Sequence, residues 1–185
     1  MIRTPLIALL SLTLLACVPQ SHVQSARTVR DSSQPAPDNA SNFAARLLAA
    51  HNQARAEKGL APLQWSTALA TAAQPWAQTL ADDGKLRHSD QDGRPGQGEN
   101  IWMGTARFYD LEHMMARFVD EKRDFRPGVF PEVSATGKWQ DVAHYTQIVW
   151  PETREVGCAL MTAKKRDALV CRYSPPGNVF GQAIR

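Results

Sequence analysis

The chain has 185 residues, 43% of them hydrophobic and 21% charged, which is enough for one domain with a real core and some extra sequence. Lys and Arg total 21 against 18 Asp and Glu, a formal net charge of +3. That balance gives no footing for binding driven by overall charge, and no nucleic-acid partner is expected.

The first segment in chain order is MIRTPLIALLSLTLLAC, residues 1–17. Arg3 gives a short positive start. Leu6 to Leu15 is an apolar run too short for a bilayer core, which needs about 20 residues. Both are marks of an export signal. The run ends Leu14-Leu15-Ala16-Cys17, which resembles a bacterial lipobox, where the cysteine is acylated and becomes the first residue of the mature chain. On that resemblance Cys17 is a lipidation site and its anchor makes the membrane a partner. Val18, standing where an Asp would retain the protein, implies an outer-membrane lipoprotein of the cell envelope facing the periplasm. A soluble secreted protein that sheds Cys17 with its leader is the alternative. Residues 18–41 are rich in Ser, Gln, Pro and Ala and read as a flexible tether. Its end-to-end distance is roughly 25–30 Å.

The folded domain is expected over residues 42–185. Phe43, Leu47, Ala50 and Ala54 recur at helical spacing up to Lys58, and Gly59 stops the helix. His51 lies on that stripe and reads as structural. Asn52 and Arg55 are placed to join the helix to a loop. Ser66 is the N-cap of a second helix whose apolar face is Leu69, Ala72, Ala73, Trp76 and Leu80, ending near Gly84. Pro75 inside it should kink it or remove one backbone bond. Residues 88–99, HSDQDGRPGQGE, read as loop. A third helix is expected from Asp110 to about Asp124. Glu121 shares the side of Phe118 and Met114 on it. A carboxylate on a packed face is costly unless paired, so Glu121 needs a cation, a proton, a metal or a watery cleft. A stripe-edge Glu reaching solvent is the plainer reading. A loop bearing Gly and Pro runs on to Trp139.

Strands are expected at 145–150, 155–162 and 168–174. HYTQIVW, residues 144–150, is rich in residues that suit a pleated surface. As a strand it would put His144, Thr146, Ile148 and Trp150 on one face and Tyr145, Gln147 and Val149 on the other. Cys158 and Cys171 sit in the two later strands. In an oxidising compartment a disulfide is the default for such a pair, adding about 3 kcal/mol. The KKRD stretch between these strands, residues 164–167, reads as a solvated hairpin tip; a binding patch would need more than three adjacent basic residues. Helices first and antiparallel strands later argue for an α+β fold.

HNQAR (51–55), GENIW (98–102), AHYTQIVW (143–150) and CRYSPPGNVFGQ (171–182) occur in that order. Together they resemble the CAP superfamily, the SCP or PR-1-like domain, over about residues 43–183. The resemblance implies a three-layer α-β-α sandwich with a central antiparallel sheet. It also implies a cleft with two histidines and two acids. His88, before the GEN motif, matches the first histidine and Glu99 the first acid. Glu121 matches the second acid, with Phe118 in place of the family's usual Trp. His144 matches the second histidine. Tyr145 and Gln147 are candidates to line the ligand side. Gly96 and Gly98 would let the backbone turn before Glu99. Tyr173 and Asn178 read as organisers of the C-terminal turn.

Two imidazoles and two carboxylates can hold a divalent cation such as Zn²⁺, or pair with each other without one. The leading expectation is a binding module for a metal, a lipid or an envelope component. A second is a metal-dependent hydrolase of peptidase type, with Glu99 or Glu121 as general base. A third is a structural envelope protein in which the four residues form an internal polar network. No GxSxG marks a serine nucleophile.

Overall fold

The computed structural model describes residues 40–185, with side chains from residue 42. The leader, Cys17 and all but the last two residues of the expected tether lie outside the described residues.

Four strands form the main sheet in the order β1–β4–β5–β2. They are β1 (Gln64–Trp65), β2 (Gly98–Thr105), β4 (Glu155–Ala163) and β5 (Arg166–Ser174). β5 runs antiparallel to both β2 and β4, and the short β1 runs parallel to β4. A separate two-stranded ribbon joins β3 (Gly128–Val129) to β6 (Ala183–Ile184).

Alternation along β5 divides the core. Ala168 and Val170 join Ile101 and Ala159 beneath α2 (Thr67–Asp83), against its Ala73, Ala77, Leu80 and Ala81. Leu169, Cys171 and Tyr173 face the other way. There they meet α1 (Ala40–Ala56), α3 (Leu111–Val119) and α4 (Ala143–Ile148). Helix, sheet, helix is the three-layer α+β arrangement expected. The alanine stripe lets α2 lie close. At Gly157 on β4, a Cβ would sit 2.3 Å from both the Ser66 carbonyl oxygen and the Ala70 nitrogen, so only glycine admits the first turn of α2. Cys158 and Cys171 are opposed in the β4–β5 register and form the expected disulfide.

Ser66 caps α2 through its hydroxyl, which accepts from the Leu69 N–H, and Gly84 ends it in the left-handed region at φ 71°. α2 runs unbroken through Pro75, which faces solvent, so the carbonyl that loses its partner can meet water. The buried stripe is rotated slightly from the expected one, because Ala72 is exposed and Ala77 buried. α1 is joined to the following loop as expected. Asn52 bonds the backbone of Leu63 in both directions. Arg55 is buried and donates to the carbonyls of Ala61, Ile148, Trp150 and Thr153.

Besides the short strands β1, β3 and β6, which the sequence does not predict, three elements around the site differ from expectation. HYTQIVW is not a strand: Ala143–Ile148 is the helix α4. Every residue from Tyr145 to Trp150 is buried, and a short, wholly buried run carries no period to separate helix from strand. The deciding contact comes from elsewhere, since Glu121 accepts the N–H groups of His144 and Tyr145 in the first helical turn. β2 reaches residue 105, through a stretch for which the sequence predicts no element. Its polar start and the glycines at 98 and 104 disguise the strand pattern. α3 stops at Val119 and tightens into a 3-10 turn, Asp120–Arg123. That turn carries Glu121 towards α4.

Candidate functional site

A cleft of about 510 Å³ opens where β2 begins. β2 is the edge strand, so polar groups from both faces of the sheet reach the same opening there. His88 arrives from the α2 side and His144 from the α4 side, and both line the cleft with Glu99. The remaining wall includes Arg94, Gln97, Trp139, Gln140 and Asn178.

The first pair is built on the sheet. The side chain of Glu99 is fully buried, while that of His88 is 54% exposed. His88 Nδ1 lies 2.8 Å from Glu99 Oε1. Ser89 donates its backbone N–H to Oε1 at 3.0 Å and its hydroxyl to Oε2 at 2.9 Å. Arg172, directly opposite Glu99 in the β2–β5 register, places a guanidinium nitrogen 3.1 Å from Oε2. Burial alone pushes the Glu99 pKa up. The hydrogen bonds from His88 and Ser89 and the charge of Arg172 outweigh it, and the net shift is downward.

The second pair is built on a helix start. His144 Nδ1 lies 2.5 Å from Glu121 Oε1. Oε2 accepts the N–H of His144 at 2.9 Å and of Tyr145 at 3.1 Å. The His144 ring stacks on Phe118 at 4.7 Å between centroids. Phe118, the residue in place of the expected Trp, therefore keeps an aromatic floor under the imidazole. Glu121 stands behind His144 rather than in the cleft wall.

Asn100 couples the two sides. Its Nδ2 donates to the carbonyl of His144 and to the Tyr173 hydroxyl. Tyr173 in turn meets His51 Nε2 at 2.8 Å, and His51 Nδ1 lies 2.7 Å from the Leu47 carbonyl. A carbonyl only accepts, so Nδ1 carries the proton and Nε2 accepts from Tyr173. Burial pushes the His51 pKa down to about 4. His51 is therefore neutral at neutral pH and holds the scaffold together, as its place on the core stripe suggests.

The expected ligand-facing pair divides. Gln147 lines the cleft floor, but its amide is engaged by the Gly177 N–H and by Thr153. A Cβ at Gly98 would lie 2.0 Å from the Gln147 side-chain oxygen, so close approach rather than a turn requires that glycine. Gly96 is the turn residue, at φ 68°. Tyr145 is buried against Phe125 instead of lining the cleft. In a helix it points away from the opening, and the strand alternation that put it beside Gln147 does not apply. Asn178 does organise the C-terminal turn: it donates to the Ala143 carbonyl and accepts from Thr146.

Among the described residues, the donor atoms that lie within 4.8 Å of one another are those of His51, Cys158 and Cys171. Their sulfurs are joined in the disulfide. His88, Glu99, Glu121 and His144 do not close as tightly and stand as two pairs across one cleft. Sequence reasoning missed Arg172, Ser89 and Asn100 as supports. Asn100 belongs to the GEN motif and could have been found there; Arg172 becomes visible only once the β2–β5 register is known.

The sequence model of the cysteine-rich secretory protein family, CAP, matches residues 48–173. Pathogenesis-related protein 1B of Nicotiana tabacum is 37% identical over 147 residues, covering 78% of this chain and 82% of its own length. Pathogenesis-related protein PR-1 of Medicago truncatula is 31% identical over 176 residues, covering 94% of this chain and 92% of its own. The crystal structure of NaASP2 with Zn²⁺ superposes with a TM-score of 0.64 at 22% identity, over 75% of this chain and 82% of that one. An outer surface protein of Borrelia burgdorferi does so at 0.51 and 11% identity, over 75% and 96%. These two likenesses concern the fold.

Proposed function

The chain belongs to the cysteine-rich secretory protein family, CAP, and on that premise we propose that its cleft is a non-catalytic binding site for a divalent cation such as Zn²⁺. One observation carries the reading. Both cleft imidazoles are engaged by a glutamate on Nδ1, and neither Nε2 has a hydrogen-bond partner among the described residues. A carboxylate on one ring nitrogen fixes the tautomer that leaves the other as a metal ligand. His88 and His144 would hold the cation, and Glu99 and Glu121 would orient them from behind. A bound Zn²⁺ would supply a Lewis-acidic position for a small polar ligand, and the cleft volume is in the range of small-molecule sites. NaASP2, a protein of the same fold, was crystallised with Zn²⁺, which supports testing that metal first.

Binding rather than turnover fits the two acids. Glu99 accepts from His88 and from both groups of Ser89 and is ion-paired with Arg172; Glu121 accepts from one ring and two backbone N–H groups. Neither carboxylate is left free to act as a general base. Among the described residues, no serine, threonine or cysteine lines the cleft.

Titration of the full chain with ZnCl₂ tests this. The wild type should bind one equivalent, and His88→Ala or His144→Ala should weaken binding at least tenfold. Equal binding by wild type and both variants overturns the cleft as the metal site. Zinc-dependent turnover of a peptide or ester by the wild type would replace the binding reading with the hydrolytic one.

The same proposal includes export and anchoring through Cys17 in the bacterial envelope, resting on the LLAC sequence. Among the described residues no helix is long and apolar enough to cross a membrane. Mass spectrometry of the mature N-terminus decides the matter, since an unmodified chain starting beyond Cys17 rules the anchor out.

A further inference from the structure

We propose that the β4–β5 hairpin tip, together with the turn after β2, is a docking surface for an anionic lipid bilayer. The tip carries three adjacent basic residues, Lys164, Lys165 and Arg166. Alone they would be a solvated turn. The fold adds Arg107, because the Ala106 N–H donates to the Lys165 carbonyl and Thr105 pairs with Arg166. It also adds Lys85, because the Arg166 guanidinium lies against the neighbouring Gly84.

The acids at this end are held in place, Asp82 by the Gln78 amide. Asp167 is buried, with its oxygens taken by the Thr162 hydroxyl and the Arg107 N–H. Asp83 pairs with Arg87, and Asp110 caps α3. Among the described residues, Arg107, Lys164 and Lys165 are exposed and make no ion pair. Lys85, Arg107, Lys164, Lys165 and Arg166 outnumber the acids here that keep their charge, Asp82, Asp110 and Asp167, so a local positive field survives in a chain of small net charge.

Backbone conformation points the same way. Arg107, Lys164 and Lys165 stand at φ 59°, 46° and 67°. Glycine or asparagine takes that conformation at least cost, and a two-residue hairpin turn favours them strongly. The sequence puts basic residues at all three positions instead, which a purely structural turn does not call for.

Phe108 chooses among polyanions. It follows Arg107 and is 54% exposed, with its ring edge-on to Tyr109 at 4.8 Å between centroids. Basic residues around a protruding aromatic suit an interface with phosphate headgroups outside and acyl chains beneath. A soluble polyanion gives the ring nothing to enter. The tip and the cleft are at opposite ends of β2, roughly 23 Å apart at about 3.3 Å per residue. A domain docked by the tip would hold its cleft away from the bilayer. This inference is independent of the metal reading.

The test uses the full chain with vesicles of phosphatidylcholine alone and of equal parts phosphatidylcholine and phosphatidylglycerol. The N-terminal segment carries Arg3, Arg27 and Arg30 as well as apolar residues and is the same in every variant, so the part of the preference that the tip variants lose reads the tip. The wild type should prefer the anionic vesicles, the preference should fall with added salt, and amide exchange should slow over residues 105–109 and 163–167. The double variant Lys164→Asn with Lys165→Gly should be as stable as the wild type or more so, yet lose roughly 25-fold of the preference. Lys164→Gln with Lys165→Gln should show the same loss. Phe108→Ser should keep the preference at low salt and lose most of it at physiological salt. Equal partitioning of the wild type, or an unchanged preference in both lysine variants, overturns the proposal. So does slowed exchange at the tip with dextran sulfate but not with vesicles, which would make it a site for soluble polyanions.

Discussion

His88 and His144 both carry a glutamate on Nδ1, but the two glutamates are anchored in opposite ways. Glu99 is held by the sheet: its cross-strand neighbour Arg172 and the residue next to His88 surround it, and its side chain is wholly buried. Glu121 is held by a helix start, accepting the first N–H groups of α4, and its side chain keeps 18% exposure. The imidazoles reverse the order of supports. His88 stands out from a buried acid on a loop, whereas His144 is stacked on Phe118 and built into a helix. Orientation of a ligand and stability of the fold therefore lie on different residues in the two pairs.

The largest effect should come from Glu99→Ala. It leaves Arg172, 3% exposed, with an uncompensated buried charge, and should lower unfolding stability by about 3–5 kcal/mol in denaturant titration. The pH profile sharpens this. Glu99 has a folded pKa below its unfolded value of about 4.3. Its contribution is therefore complete above that pH and is lost as the pH falls through the folded value. The part of the acid decline due to Glu99 should disappear in the variant, and an unchanged profile would mean that Arg172 and Ser89 do not see this carboxylate. Next comes Glu121→Ala, which strips two N–H groups of their acceptor and should cost about 1–3 kcal/mol. Amide exchange localised to α4 should report it. A loss spread evenly over the molecule would contradict the role assigned to this acid as a helix cap. The smallest effect belongs to His88→Ala, which should move stability by less than about 0.5 kcal/mol while removing one side of the proposed cation site. If it destabilised the protein as much as Glu121→Ala, the contrast between an exposed ligand and a buried support would be wrong.

The motif matches point to His88, Glu99 and His144, which line one cleft, and to Glu121, which stands behind His144, and residue type alone marks His88 and His144 as candidate ligands. Their surroundings were less legible. Glu121 looked anomalous on an apolar stripe, and the structure shows why: it caps a helix that begins 22 residues later. That same remote cap made α4 look like a strand, because nothing local to AHYTQI distinguishes the two. Tyr145 inherited its expected place from the wrong period. Arg172 carried no signal, since its meaning depends on a register that pairs it with Glu99. The disulfide and the antiparallel hairpin around it were readable, because paired cysteines and flanking β-rich runs agreed. Segments with consistent local and long-range demands could be read; those decided by a distant partner could not.

Gly157 sits on neither pair, yet it sets the jaw spacing of the cleft. With no side chain at that point, the first turn of α2 rests directly on β4. The loop that presents His88 leaves from the far end of this rigid rod, while His144 is fixed to the opposite layer. A single methyl group there would act as a shim, prising up one arm of a caliper and displacing its jaw without touching either imidazole.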